Sequence, residues 1–323
     1  MKKINYMMFF KWAGTILALG LLYYMLSKQG KITDIWARMR DIPTENIIYA
    51  LILVFISRIA IAIRWFVMVR AAGVEMPLID SLRLTFAGLF ANNFLPSTVG
   101  GDVLRLGGAT YEGYDAAKVT ASLVMDRVLG TVTWFCMIPF SWPLLMKLKS
   151  GHAASLMVMP AIGMTEEKAT GLKAKIFRIL KKLFSSLLMG IKNPLALLGA
   201  LVFTAVHMFC TFMILKLFLP SSVQIDLWTI GKLWTLVYFS SLLPTSINGL
   251  GVQEAVAVAV FLLGAGVHGD VVTSMALLYR FFIMFASLPG AFFITSISRN
   301  MRTQKAAGDV PAQSADSSAD SNV

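Results

Sequence analysis

Five runs of apolar residues, at about 8–27, 46–70, 118–147, 194–219 and 269–298, decide what this chain can fold into. Each is long enough to cross a bilayer, which takes about 20 apolar residues in a helix. Between them, 81–96, 151–163, 229–246 and 252–267 are apolar but short or interrupted by Gly or Pro, as expected of re-entrant or broken helices. The expected fold is therefore all-α: a polytopic integral membrane bundle of about 6–8 transmembrane helices. Composition agrees, with 57% hydrophobic and 14% charged residues, where a soluble domain carries about 25% charged. The net charge of +12 is accordingly read against the bilayer rather than as a nucleic-acid footprint, and no nucleic acid partner is expected.

Basic residues give an expected orientation. Lys2 and Lys3 precede the first run, and Arg299, Arg302 and Lys305 follow the last, so both termini are expected in the cytoplasm. The first run continues to Met25 without a small-residue cleavage site and reads as a retained helix, not a signal peptide. Segment 166–192 carries seven Lys or Arg against Glu166 and Glu167, with Leu172, Ile176, Ile179, Leu183 and Leu187 at helical spacing. It reads as a basic amphipathic helix on the cytoplasmic leaflet, either gripping anionic head groups or simply fixing topology. The expected organisation is an integral membrane domain over 1–300, with halves at about 46–147 and 194–298 joined by 166–192, and a disordered polar tail at 301–323. The expected location is a bacterial-type cytoplasmic membrane.

The halves share a pattern. LPSTVGG at 95–101 and LPTSING at 243–249 begin 148 positions apart and agree in Leu, Pro and the final Gly. VTASLVMDR at 119–127 and VTSMALLYR at 272–280 follow in the same order, 153 positions apart. Two matches at nearly one offset point to a duplicated unit. In each copy Pro removes a backbone donor and Gly admits positive φ, so a helix should break at membrane depth. Paired interrupted segments of this kind mark a transporter site at a repeat interface. Tracing the spans from a cytoplasmic N-terminus brings the two breaks in from opposite faces, as in inverted repeats, with parity through 118–163 left open by the marginal length of 151–163.

Arg58, Arg64, Arg127 and Arg280 lie inside apolar runs. A central Arg costs about 2.5–3.5 kcal/mol on insertion scales, so each needs compensation. One reading gathers them with broken-helix N–H groups around an anion such as a lipid phosphate, which Arg matches with a planar fork of donors. The plainer readings are snorkelling to the interface for Arg64, and structural pairs with a carboxylate or carbonyl for the others. Asp126 adjoins Arg127 and points about 100° away from it on a helix. Asp102 and Glu254 each follow a glycine turn, and could serve proton coupling, recognition of a cationic head group, or capping of a helix start. Asn92 and Asn93 are expected to satisfy backbone groups at the break. Cys136 and Cys210 sit singly in apolar runs, and His152, His207 and His268 have no partner at ligand spacing, so neither metal nor cofactor is implied.

NNFLPSTVGGDVLR (92–105) with a downstream DR (126–127), followed by LLPTSINGLGVQE (242–254) with Arg280, resembles the flippase-like membrane domain of the lysylphosphatidylglycerol synthase family over about residues 10–298. The resemblance implies a bundle with re-entrant elements that moves a modified or isoprenoid-linked anionic lipid between leaflets. By motif it implicates Pro96, Gly100, Gly101, Asp102, Arg105, Arg127, Pro244, Gly249, Gly251, Glu254 and Arg280, to which Arg58 is added as an intramembrane cation. Asn248 departs from the pattern, standing where many relatives place a glycine. A short polar tail stands where the bifunctional synthases carry a soluble aminoacyl-transferase domain, so synthase activity is not expected.

The leading reading is a lipid flippase, and with no GxxxxGK[ST] in the chain, movement is expected to be passive, ion-coupled or partner-driven. The alternatives are an intramembrane transferase using Asp102, Asp126 or Glu254 as base, and an accessory subunit of an envelope glycosyltransferase or lipid-synthesis enzyme.

Overall fold

The computed structural model describes residues 37, 40–94, 100–150, 193–241 and 251–294. The first apolar run, segments 151–163 and 166–192, Pro96, Pro244, Gly249 and the tail lie outside the described residues. Among the described residues every regular element is a helix: α1 (Thr44–Ala71), α2 (Leu78–Phe94), α3 (Gly100–Tyr111), α4 (Ala116–Phe135), α5 (Ile138–Ser150), α6 (Pro194–Leu217), α7 (Leu227–Ser241), α8 (Val252–Ala265) and α9 (Gly269–Ser287).

Local chemistry sets these boundaries. Pro43 precedes α1, with Glu45 in its first turn and Arg70 in its last, charges that suit the helix dipole. Pro194 opens α6, where its missing N–H has no intrahelical partner to lose. Asp115 caps α4 by accepting from the N–H groups of Ala117 and Lys118 at 2.8 and 3.0 Å.

Among the described residues three helices are long and apolar enough to cross a membrane, Thr44–Ala71, Pro194–Leu217 and Gly269–Ile294, matching three of the expected spans. The expected continuous span at 118–147 is corrected. It consists of α4 and α5, bent by 41° at their junction. Pro139 gives the reason, because its ring opposes the carbonyl four residues earlier, on Phe135, the last residue of α4. Counted with this bent pair as one span, the described residues hold up to four.

The helices pack around α1 and α6, which run antiparallel. Asn46 Nδ2 donates to the Leu217 carbonyl at 3.0 Å near one end, and Ser57 Oγ meets His207 Nδ1 at 2.7 Å in the middle. Gly199 lies against Val67 toward the other end. On either side of this pair, α2 packs on α3 and α7 on α8. The long helices cross over, with α4 touching α6 as well as α1, and α9 touching α1 as well as α6.

Lipid gives helices no hydrophobic reason to associate, so small residues and polar contacts have to do it. Gly88 and Gly101 let α2 and α3 approach so closely that a Cβ on Gly101 would overlap the Gly88 carbonyl and the Asn92 amide. Aromatic side chains fill the wider gaps, as where Trp134 of α4 stacks on Tyr238 of α7 at 4.4 Å between centroids.

Candidate functional site

The two halves place ionic side chains alike. Asp102 is the third residue of α3 and Glu254 the third of α8. Arg127 is the twelfth residue of α4 and Arg280 the twelfth of α9. In the first half the Arg127 guanidinium pairs with Asp102, and in the second the Arg280 guanidinium pairs with Glu254.

Around the second pair lies a cavity of about 230 Å³, lined by Arg58, Asn92, Asn93, Trp234, Gln253, Glu254, Tyr279 and Arg280 among others. Five helices supply it, with Arg58 from the middle of α1, the asparagines from the end of α2, and the rest from α7, α8 and α9. Glu254 is 2% exposed and spends both oxygens. Oε2 accepts from the Gly251 N–H at 2.8 Å, fixing the start of α8 where Gly251 takes a φ of +80°, and Oε1 accepts from Arg280. Capping, one reading of Glu254 from sequence, and a structural pair with a carboxylate, the plainer reading of Arg280, are thus one arrangement. Arg280 also donates through Nη2 to Gln253 Oε1 at 2.9 Å. Arg58 is 6% exposed, and its Nε has no hydrogen-bond partner among the described residues. Its Nη2 reaches Ser57 Oγ at 3.5 Å.

The first pair belongs to a second, more tightly tied group. Arg64 Nε donates to Asp126 Oδ1 at 2.7 Å, and Arg105 Nη1 lies 3.5 Å from Asp126 Oδ2 and 3.4 Å from Asp102 Oδ1. The Arg105 guanidinium sits 4.1 Å from the centroid of the Trp65 ring, a cation–π contact in a site where that residue is 7% exposed. Three guanidiniums thus face two carboxylates in this group, and two face one around the cavity. Among the described residues each group carries one more positive than negative side chain.

Of the six residues expected to contact substrate, Arg58, Glu254 and Arg280 line one cavity, whereas Asp102, Arg105 and Arg127 stand in the neighbouring group and do not line it. The snorkelling reading of Arg64 is overturned, since it is 9% exposed and held by Asp126 and, through Nη1, by Thr204 at 3.4 Å. Asp126 does not serve its neighbour Arg127, as their divergence on a helix requires. Asn92 does satisfy the backbone at the break, its Oδ1 accepting the Gly101 N–H at 2.8 Å, and its side chain also faces the cavity. Asn93 donates instead to Ser287 Oγ at 2.8 Å. Of the turn residues, Gly100, Gly101 and Gly251 stand at helix starts. Sequence reasoning did not find Tyr279, Gln253, Ser57 or the role of His207. The one available signal was their polarity within apolar runs.

Among the described residues no three His, Cys, Asp or Glu side chains are placed to hold a metal ion. No curated protein matches the sequence. Residues 11–290 match the family described as lysylphosphatidylglycerol synthase TM region. With apolar helices of spanning length and a match over most of its length, the chain is a multi-pass membrane protein and belongs to the lysylphosphatidylglycerol synthase transmembrane-region family.

Proposed function

We propose that the protein is a lipid flippase of the cytoplasmic membrane, moving an anionic phospholipid or polyprenyl-phosphate-linked lipid between leaflets without altering it chemically. The observation that carries this reading is the cavity around Arg58, Arg280 and Glu254, with its excess guanidinium at the middle of a membrane-crossing helix. Burying such charge is costly unless something offsets it, and a phosphate group offers the matching acceptor geometry. At about 230 Å³ the cavity is below the roughly 300 Å³ of the smaller sites for drug-sized ligands. It suits a head group, leaving the tails in lipid. Membership of a lipid-related membrane family supports the same substrate class.

The transport reading includes an architecture of two inverted repeats, α1–α4 and α6–α9. The antiparallel run of α1 against α6, the matching helix order and the equivalent positions of the two ion pairs support it. In such a fold the halves rock about a central site and expose it to each side in turn.

The test is exchange of labelled phosphatidylglycerol and of a labelled polyprenyl phosphate between leaflets of proteoliposomes at matched protein density. Arg58→Gln and Arg280→Gln are each expected to slow exchange at least about tenfold, the loss of one charge-assisted contact. Wild-type rates in both variants, or no exchange of either lipid by folded wild type, would remove the flippase reading.

A further inference from the structure

We infer that His207 takes up a proton when an anion enters the Arg58 cavity, so that the protein moves the anionic head group together with a proton. This rests on the transport reading above and supplies its coupling ion.

His207 lies within two residues of the centre of α6, opposite the centre of α1. Its Nδ1 is 2.7 Å from Ser57 Oγ, and the same oxygen is 3.5 Å from Arg58 Nη2. A contiguous polar chain therefore runs from the cavity cation, through a hydroxyl, to an imidazole on the facing helix. Ser57 is fully buried, so no bulk water separates the two ends of this chain. Charges communicate strongly in such surroundings. With the cavity empty, a protonated ring would stand beside the guanidiniums of Arg58 and Arg64. An anion on Arg58 offsets that repulsion. Linkage then works both ways, because whatever the anion does for the proton, the proton does for the anion.

Among the described residues, the groups presented toward this region by the helices packed on α6 are Arg58 and Arg64 from α1, Asp126 from α4, Tyr238 from α7 and Tyr279 from α9, with Cys210 on α6 itself. Guanidiniums stay charged throughout, and tyrosine and cysteine ordinarily ionise above neutrality. Asp126 is engaged by two guanidiniums and Glu254 by one guanidinium and a backbone N–H, so a proton on either would cost existing bonds. Imidazole is the side chain suited to exchanging a proton near neutral pH. In a transport cycle the ring would collect the proton from water as the head group arrives, and return it to water when the head group leaves on the other side.

Calorimetric titration of the full-length protein in zwitterionic nanodiscs tests this, with short-chain phosphatidylglycerol as probe and empty nanodiscs as blank. A phosphodiester stays a monoanion near pH 7, so it brings no titrating proton of its own. Repeating the titration at one pH in two buffers of different ionisation enthalpy gives the protons taken up per anion bound. The wild type is expected to take up a fraction of a proton per anion that stands clearly above the blank. His207→Gln and His207→Asn, which keep a polar partner for Ser57, are expected to take up almost none. Thermal unfolding of each variant verifies its fold. Binding without proton uptake by the wild type overturns the coupling but leaves the anion site standing. Uptake that survives in both His207 variants, or that vanishes only in Glu254→Gln, overturns it too. Absence of binding to the wild type removes the anion site and the coupling together.

Discussion

Asp126 shows how this bundle tolerates arginine in apolar helices. Its two oxygens face Arg64 and Arg105, two helices away from each other in sequence, and it is itself 3% exposed. Removing one partner of a buried pair leaves the other charge uncompensated, which typically costs about 3–5 kcal/mol. Asp126→Asn keeps the shape and removes the charge. It is therefore expected to destabilise the protein by roughly that amount, read from reversible unfolding in mixed micelles. Adding Arg64→Met should recover part of the loss, since one of the stranded cations goes with it. An Asp126→Asn variant as stable as the wild type would mean that the pair holds nothing together. Glu254 is a different case despite its equivalent burial, because the same carboxylate also closes the first turn of α8. Its neutralisation should loosen a turn as well as an ion pair, so Asp126 is the cleaner measure of charge alone.

Among the elements, the α2–α3 hairpin is the one whose geometry depends most on absent atoms. Gly88 and Gly101 face each other, and Gly101 also donates its N–H to Asn92 Oδ1 at 2.8 Å. A methyl group on Gly101 would run into backbone on one side and that amide on the other, and backbone cannot yield as a flexible side chain can. Overpacking of this kind costs about 1–3 kcal/mol. Gly101→Ala should therefore lower the unfolding temperature and, by pushing Asn92 from the cavity wall, weaken anion binding. Gly107→Ala, on the same helix with nothing within 4 Å of its added carbon, is the control expected to change neither. Equal effects of the two substitutions would trace the loss to α3 itself and not to its contact with α2. The hairpin of the second half solves the same problem differently, with the longer Glu254 capping its own helix while Asp102, one methylene shorter, turns to Arg105 and Arg127.

For the whole molecule, the three spans at 46–70, 194–219 and 269–298 were legible because apolar run length acts locally. The equivalence of Arg127 and Arg280 was legible for the same reason, as an eight-residue spacing from Val-Thr repeated in both halves. The bend at Cys136–Met137 was also written locally, in Pro139, but its effect was hidden inside an apolar run long enough to read as one helix. What could not be read was partnership. Arg64 meets Asp126 from 62 positions away and Ser57 meets His207 from 150, and only the packing of α4 and α6 against α1 brings them together. The same packing makes a prediction about motion. If the halves rock about α1 and α6, that antiparallel pair is the part that moves least against itself, while the end of α2 must part from α9 to open the cavity. Two disulfides separate these, made in a protein whose Cys136 and Cys210 are replaced by serine. Val67→Cys with Gly199→Cys would join α1 to α6, where the added carbon at Gly199 lies 3.7 Å from Val67 Cγ1. Asn93→Cys with Ser287→Cys would join α2 to α9 across a hydrogen bond of 2.8 Å. Oxidation is expected to leave lipid exchange intact in the first pair and to stop it in the second, with reduction restoring it. Exchange lost in the first pair and kept in the second would put the movement between α1 and α6 instead of around them.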